Sequence, residues 1–180
     1  ERAALARALS GQAHGPFQVD ILAKIATAAT TVERAAAAAA IASNPLPAHL
    51  PTAVGLLATR EARTDARRTL IAIGTSAVAH LARALADTDQ PEGVRIHIPA
   101  VLAELPTEET ADILGQQLLT AGSGVVRYRA LRALNRLHGN APTVRLPRRA
   151  LKEAVRDVVR TGFILMDWAM LLAEGARADH

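Results

Sequence analysis

GVVRYRALRALNRL, residues 124–137, is the stretch whose reading decides the fold. Wound at about 3.6 residues per turn, Val126, Ala130, Leu131, Leu134 and Leu137 gather into one apolar stripe. Arg127 falls inside that stripe, whereas Arg129, Arg132 and Arg136 fall opposite it. An arginine within an apolar stripe is expensive to bury unless its charge is paired. Arg127 therefore reads as scaffold and the other three as an exposed strip.

Two further segments share the pattern of a small apolar residue, an arginine and then helical apolar spacing. ARRTLIAIG starts at Ala66 and VRIHIPAVLAEL at Val94. Aligned on these copies, Arg67, Arg95 and Arg127 form a structural arginine ladder with spacings of 28 and 32 residues. VERAAAAAAIA from Val32 is a more degenerate copy, with Glu33 in the arginine position. The acids available to pair with the ladder are Asp65, Asp87, Asp89, Glu108, Glu109 and Asp112. Each arginine-bearing segment follows another helical one: 47–59, 76–86 and 108–121. The unit is helix, turn, helix, and since one pair cannot bury its apolar face alone, stacking of pairs is the stable solution.

Turn signals cut the rest of the chain into similar lengths, among them HGP (14–16), SNPLP (43–47), GTS (74–76), DTDQPEG (87–93), GSG (122–124) and HGNAPTVRLP (138–147). No alternating strand pattern lies between them. Half of the 180 residues are apolar, alanine dominates that half, and Phe17, Tyr128, Phe163 and Trp168 are the only aromatics. A core of Ala, Leu, Ile and Val favours helices in close approach. The expected fold is all-α: a right-handed α-solenoid of about four helix pairs over residues 1–145, irregular at its start. Residues 146–177 are expected to form a C-terminal capping helix or helices. Pro99 should bend its helix, and His97 beside it is expected on the exposed polar face.

RIHIPAVLAEL (95–105) and RYRALRALNRL (127–137) resemble the second helix of HEAT-like repeats, in the short variety found in phycobilin-lyase-type proteins. Together with LPRRALKEAVRDVVRTGFILMDWAMLLAE (146–174), they also resemble the HEAT region of bacterial multidomain proteins. In those, such repeats adjoin a transporter of the major-facilitator or ATP/ADP-translocase type. The resemblance implies a scaffold that binds a protein partner or an adjacent domain of its own chain. It also implies a fragment of a larger protein, cytoplasmic or at the inner face of the membrane. The opening ERAALARALS, already helical and without an initiator methionine, fits that expectation.

Charge suggests the alternative. Residues 125–160 hold ten Lys or Arg against two acids, for a net +8, while the whole chain carries +4. The strip Arg129, Arg132, Arg136 continues in sequence through Arg148, Arg149, Lys152 and Arg156, and would suit an anionic partner such as nucleic acid or acidic lipid headgroups. Only Tyr128 is interleaved as a stacking platform, which weighs against single-stranded nucleic acid.

Catalysis finds little support. The sequence has no cysteine, no GxxxxGK[ST], GxSxG or GxGxxG, and none of the His-Glu pairs used by iron-binding hydroxylases of HEAT-like fold. Its six histidines include no pair at helical ligand spacing, so no metal or cofactor is expected and the protein reads as non-enzymatic. The apolar run TGFILMDWAMLLA (161–173) has 13 residues, short of the roughly 20 that span a bilayer. Being apolar nearly all round, it is expected to be buried, as a cap on the last repeat or against another domain.

Overall fold

The computed structural model describes residues 1–28 and 30–178. Every regular element among them is helical, with no strand. The helices are α1 (Arg2–Leu9), α2 (Pro16–Ala26), α3 (Thr31–Ser43), α4 (Leu50–Leu56), α5 (Arg63–Ile73), α6 (Val78–Ala86), α7 (Glu92–Arg95), α8 (Ile98–Leu102), α9 (Glu108–Thr120), α10 (Gly124–Asn140) and α11 (Arg148–Ala178). Short 3-10 turns at Pro47–His49 and Gly74–Ala77 lead into α4 and α6.

Local chemistry sets the boundaries. Thr107 caps α9 by accepting from the Thr110 amide at 3.1 Å, and the Thr110 hydroxyl accepts from the Thr107 amide at 3.0 Å. Glu108 and Glu109 add negative charge to the positive end of that helix. Ser123 starts α10, accepting from the Val126 amide and donating to the Glu92 carboxylate. Thr30 does the same work for α3. At the end of α5 the chain turns through Gly74 with φ +77°, a conformation that a Cβ disfavours.

Pro99 does more than bend its helix. The segment from Val94 divides into α7 and α8, with Ile96 and His97 between them, and Pro99 sits in the first turn of α8. There its missing N–H would have had no partner within the helix, so a fresh start costs less than a kinked continuation.

The helices pair as α2 with α3, α4 with α5, α6 with α8 and α9 with α10. The second members contact one another in succession, α3 to α5 to α8 to α10. The first members do likewise, α2 to α4 to α6 to α9, with α11 next along. α1 lies against α3, and the loop after it is tied to the end of α3. Ser43 accepts from the Gly11 amide at 2.8 Å, and the Asn44 side chain donates to the Gln12 carbonyl at 3.1 Å.

Burial repeats every 32 residues. Ala62, Val94 and Val126 are buried, as are Ala66, Ile98 and Ala130, then Leu70, Leu102 and Leu134. One further step back, Ala37, Ala38 and Ile41 of α3 occupy the places of Thr69, Leu70 and Ile73. The register therefore runs through Arg63, Arg95 and Arg127, and the ladder position given above to Arg67 belongs to Arg63. The local string ARR places one copy a turn downstream, whereas burial fixes the face.

Two of these arginines close helix ends. The Arg63 Nε donates to the Leu57 carbonyl at 2.8 Å, just past α4, and its Nη2 to the Ala58 carbonyl at 3.3 Å. Arg95, only 8% exposed, donates from Nε to the Leu85 carbonyl at 3.1 Å in the last turn of α6. Each guanidinium meets orphan carbonyls at the negative end of the preceding helix. Arg95→Met keeps the apolar stem but removes that donor. It should cost about 1.5 kcal/mol in urea denaturation, with little change in far-ultraviolet circular dichroism.

The continuous stretch Arg63–Ala86 is long and apolar enough, by length and composition, to cross a membrane. Here it is folded at Gly74, and Ala66, Leu70, Val78, Leu81 and Leu85 lie in the shared core.

Candidate functional site

The three arginines opposite the apolar stripe of α10 do not share one environment. Arg136 lies 3.3 Å from Glu104, which also accepts from Arg67 at 2.8 Å. This one carboxylate, in the turn just after α8, thus links α5 to α10. Arg129 is half-buried. Together with Arg63 it presses His97, itself half-buried, below the ordinary histidine pKa, with burial the larger cause. His97 is therefore not the freely exposed histidine expected above. Arg132 is exposed and lies 5.9 Å from the centre of the Tyr128 ring.

Further along, Arg149 pairs with Glu153 at 3.0 Å within α11, and Arg148, Lys152 and Arg156 are exposed. No ion pair among the described residues engages Arg132, Arg148, Lys152 or Arg156. Exposed pairs such as Arg149 with Glu153 contribute at most a fraction of a kcal/mol.

Arg127 differs from its expected burial. Its side chain is 43% exposed and faces Asp157 of α11 at 3.8 Å. The physical reason lies in α11, which packs on α9 and approaches α10 only across a gap. The face of α10 that a following helix pair would cover stays open.

That gap is an apolar groove of about 660 Å³. Tyr128 and Leu131 of α10 form one wall, Val155, Val158 and Val159 of α11 the other, and Leu118 and Leu151 the floor. Arg127 and Asp157 stand as a polar pair at its edge. Gly115 sets how closely the floor is drawn together: a Cβ there would meet the Pro147 ring, with Pro147 Cβ at 2.8 Å. Leu151 and Ala154 pack on the core from the first turns of α11.

Beyond those turns the apolar side chains described up to Met170 are bare. Phe163, Ile164, Met166, Trp168 and Met170 are all exposed, Trp168 to 63%. The burial expected of this apolar run is not met at these positions within the single chain.

A second constellation joins residues far apart in sequence. His14, in the loop before α2, and His49, in the turn before α4, lie edge to face with Nδ1 of the first 3.0 Å from Nε2 of the second. His14 Nε2 lies 3.1 Å from the Leu9 carbonyl, which can only accept. His14 is therefore protonated on Nε2, and His49 Nε2–H donates to its bare Nδ1. His49 is fully buried and its own Nδ1 has no hydrogen-bond partner among the described residues. Burial first, and then the charge His14 would carry, lower its pKa from 6.5 to about 4. Helical spacing could not reveal this pair, because the rings meet across 35 residues.

No protein-family model matches the chain, and no curated protein matches it in sequence.

Proposed function

We propose that the chain is a non-enzymatic HEAT-like repeat scaffold, an α-solenoid that holds a protein partner or an adjacent domain of its own chain. The apolar groove between α10 and α11, continuous with the bare apolar face of α11, carries this reading. A contiguous exposed apolar surface of that extent marks an interaction site rather than a solvated face. The 32-residue recurrence of burial and the successive stacking of first and second helices support the repeat architecture. The HEAT resemblance alone suggests a cytoplasmic scaffold, stationed at the inner membrane face where transporter domains adjoin it.

One observation favours a second reading. Among the described residues, Arg132, Arg148, Lys152 and Arg156 are exposed cations without carboxylate partners, as a surface for nucleic acid or acidic lipid would require. Salt separates the two, since phosphate binding weakens steeply with ionic strength and apolar docking does not. A photo-crosslinking amino acid placed at Val158 in cells should yield protein adducts that persist in high salt. The same probe at Arg132 should yield few. Salt-sensitive nucleic-acid or lipid adducts at Arg132, with none at Val158, would replace the first reading with the second.

A further inference from the structure

The apolar side chains of α11 follow the spacing of helices that pair with helices. Val155, Val158 and Ala169 lie on one line of three- and four-residue steps, and Val159, Phe163, Met166 and Met170 lie on the neighbouring one. A helix lying on lipid needs only a broad apolar face, without such register. Two adjacent lines of this kind suit a helix that contacts both another helix and the wall of a groove.

Area and charge indicate which helix. The six exposed large apolar side chains on these two lines, Val155, Val158, Val159, Phe163, Met166 and Met170, offer on the order of 600 Å² per copy, at the lower edge of what a stable interface buries on each side. The first half of α11, residues 148–160, carries five Lys or Arg against two acids. Residues 161–180 carry Asp167, Glu174 and Asp179 against Arg177. The helix is thus positive at its start and negative toward its end, complementary to itself when reversed. Its shape is complementary in the same sense: the groove flanks the first half, and the bare apolar ridge is the second half.

We propose that α11 is a homodimerisation helix: two copies pair antiparallel, each laying its Phe163–Met170 ridge into the partner copy's α10–α11 groove. The two-fold arrangement is closed and isologous, so it stops at a dimer. Centred near residue 162, it sets Val155 of one copy against Ala169 of the other and Val158 against Met166. A parallel pair would instead align basic half with basic half and leave both grooves empty. This inference rests on the docking reading above and names the occupant as a second copy.

The chain has no cysteine, so introduced thiols report only on themselves. Sedimentation equilibrium of the 180-residue chain at micromolar concentration should give twice the chain mass, and Val158→Glu with Met166→Glu should return it to one. On mild oxidation, a mixture of V155C and A169C chains should form the mixed disulfide in preference to the 155–155 one. Dominance of the 155–155 disulfide would overturn the antiparallel pair. So would a wild-type monomer, including one that instead binds phosphatidylserine vesicles through α11. If the chain is monomeric while Val158 photo-adducts form with a different protein, the dimer falls and the docking reading stands. If Val158 gives no protein adduct at all, both fall.

Discussion

Acidification below neutrality should weaken the fold by about 3 kcal/mol through His49 alone. Its folded pKa lies near 4 against an ordinary 6.5, and each unit of difference is worth about 1.4 kcal/mol. The folded state holds this ring neutral, while the unfolded chain takes up a proton as pH falls through 6.5. Stability is therefore fully present above 6.5 and is lost as pH drops toward 4. The geometry explains the size of the effect. A second proton on His49 would sit on Nδ1, a buried atom with no acceptor, while Nε2–H already faces the His14 ring. Urea denaturation across that pH range, compared with His49→Gln, measures it. The glutamine can still present a donor to His14 Nδ1 but does not titrate. The difference in stability between wild type and variant should narrow, or reverse in favour of the variant, by about 3 kcal/mol between neutrality and pH 4. Parallel pH curves would show that the pair is not closed in solution.

How much of this was legible beforehand varies along the chain. Helices α9 and α10 are legible in the sequence because their caps, Thr107 and Ser123, sit beside strong turn signals and their apolar spacing is regular. The all-helical character of the first 45 residues could be read, but not the packing of α1 on α3. That packing depends on Gly11, Gln12, Ser43 and Asn44 meeting across a loop, and such contacts carry no periodic signal.

Arg63 carries a signal of its own in the sequence. Equal steps of 32 residues link it to Arg95 and Arg127, whereas the local string ARR makes Arg67, one turn downstream, the nearer match. Glu104 stands outside the acids expected to pair with the ladder, because it serves Arg67 and Arg136 from the turn just after α8. On α10, the burial expected of Arg127 within the apolar stripe presupposes a neighbour on every apolar side. Where α11 stands away to leave the groove, the stripe lies open and the arginine is half in solvent. The sequence marks a face as apolar but does not say whether its cover belongs to the same chain. The same holds for residues 163–170, whose all-round apolar character fits a buried core and an interface equally well.

The groove itself depends on a glycine whose neighbours are remote in sequence. Gly115→Leu should destabilise the chain by about 3 kcal/mol, at the upper end of overpacking costs. The added side chain starts where the Pro147 ring already lies, with Ala150 Cβ 3.4 Å away. A proline ring is fixed to its own backbone, so relief requires the whole start of α11 to move off α9. The intrinsic helix preference runs the other way, since glycine in a helix is worse than most residues by about 1 kcal/mol. Gly55 provides the control: it lies within α4 and a Cβ there would meet nothing within 4 Å. Gly55→Ala should therefore stabilise the chain by about 1 kcal/mol, whereas at Gly115 contact overrides propensity. Chemical denaturation of both variants reads the two signs. The displacement should also be visible at the surface it disrupts. Lifting α11 separates Val155 and Val158 from Tyr128 and Leu131, so Gly115→Leu should lose the interaction assigned to the groove while Gly55→Ala retains it. Equal stability in the two variants would mean that α11 is not seated on α9 in solution, and the groove would lose its floor.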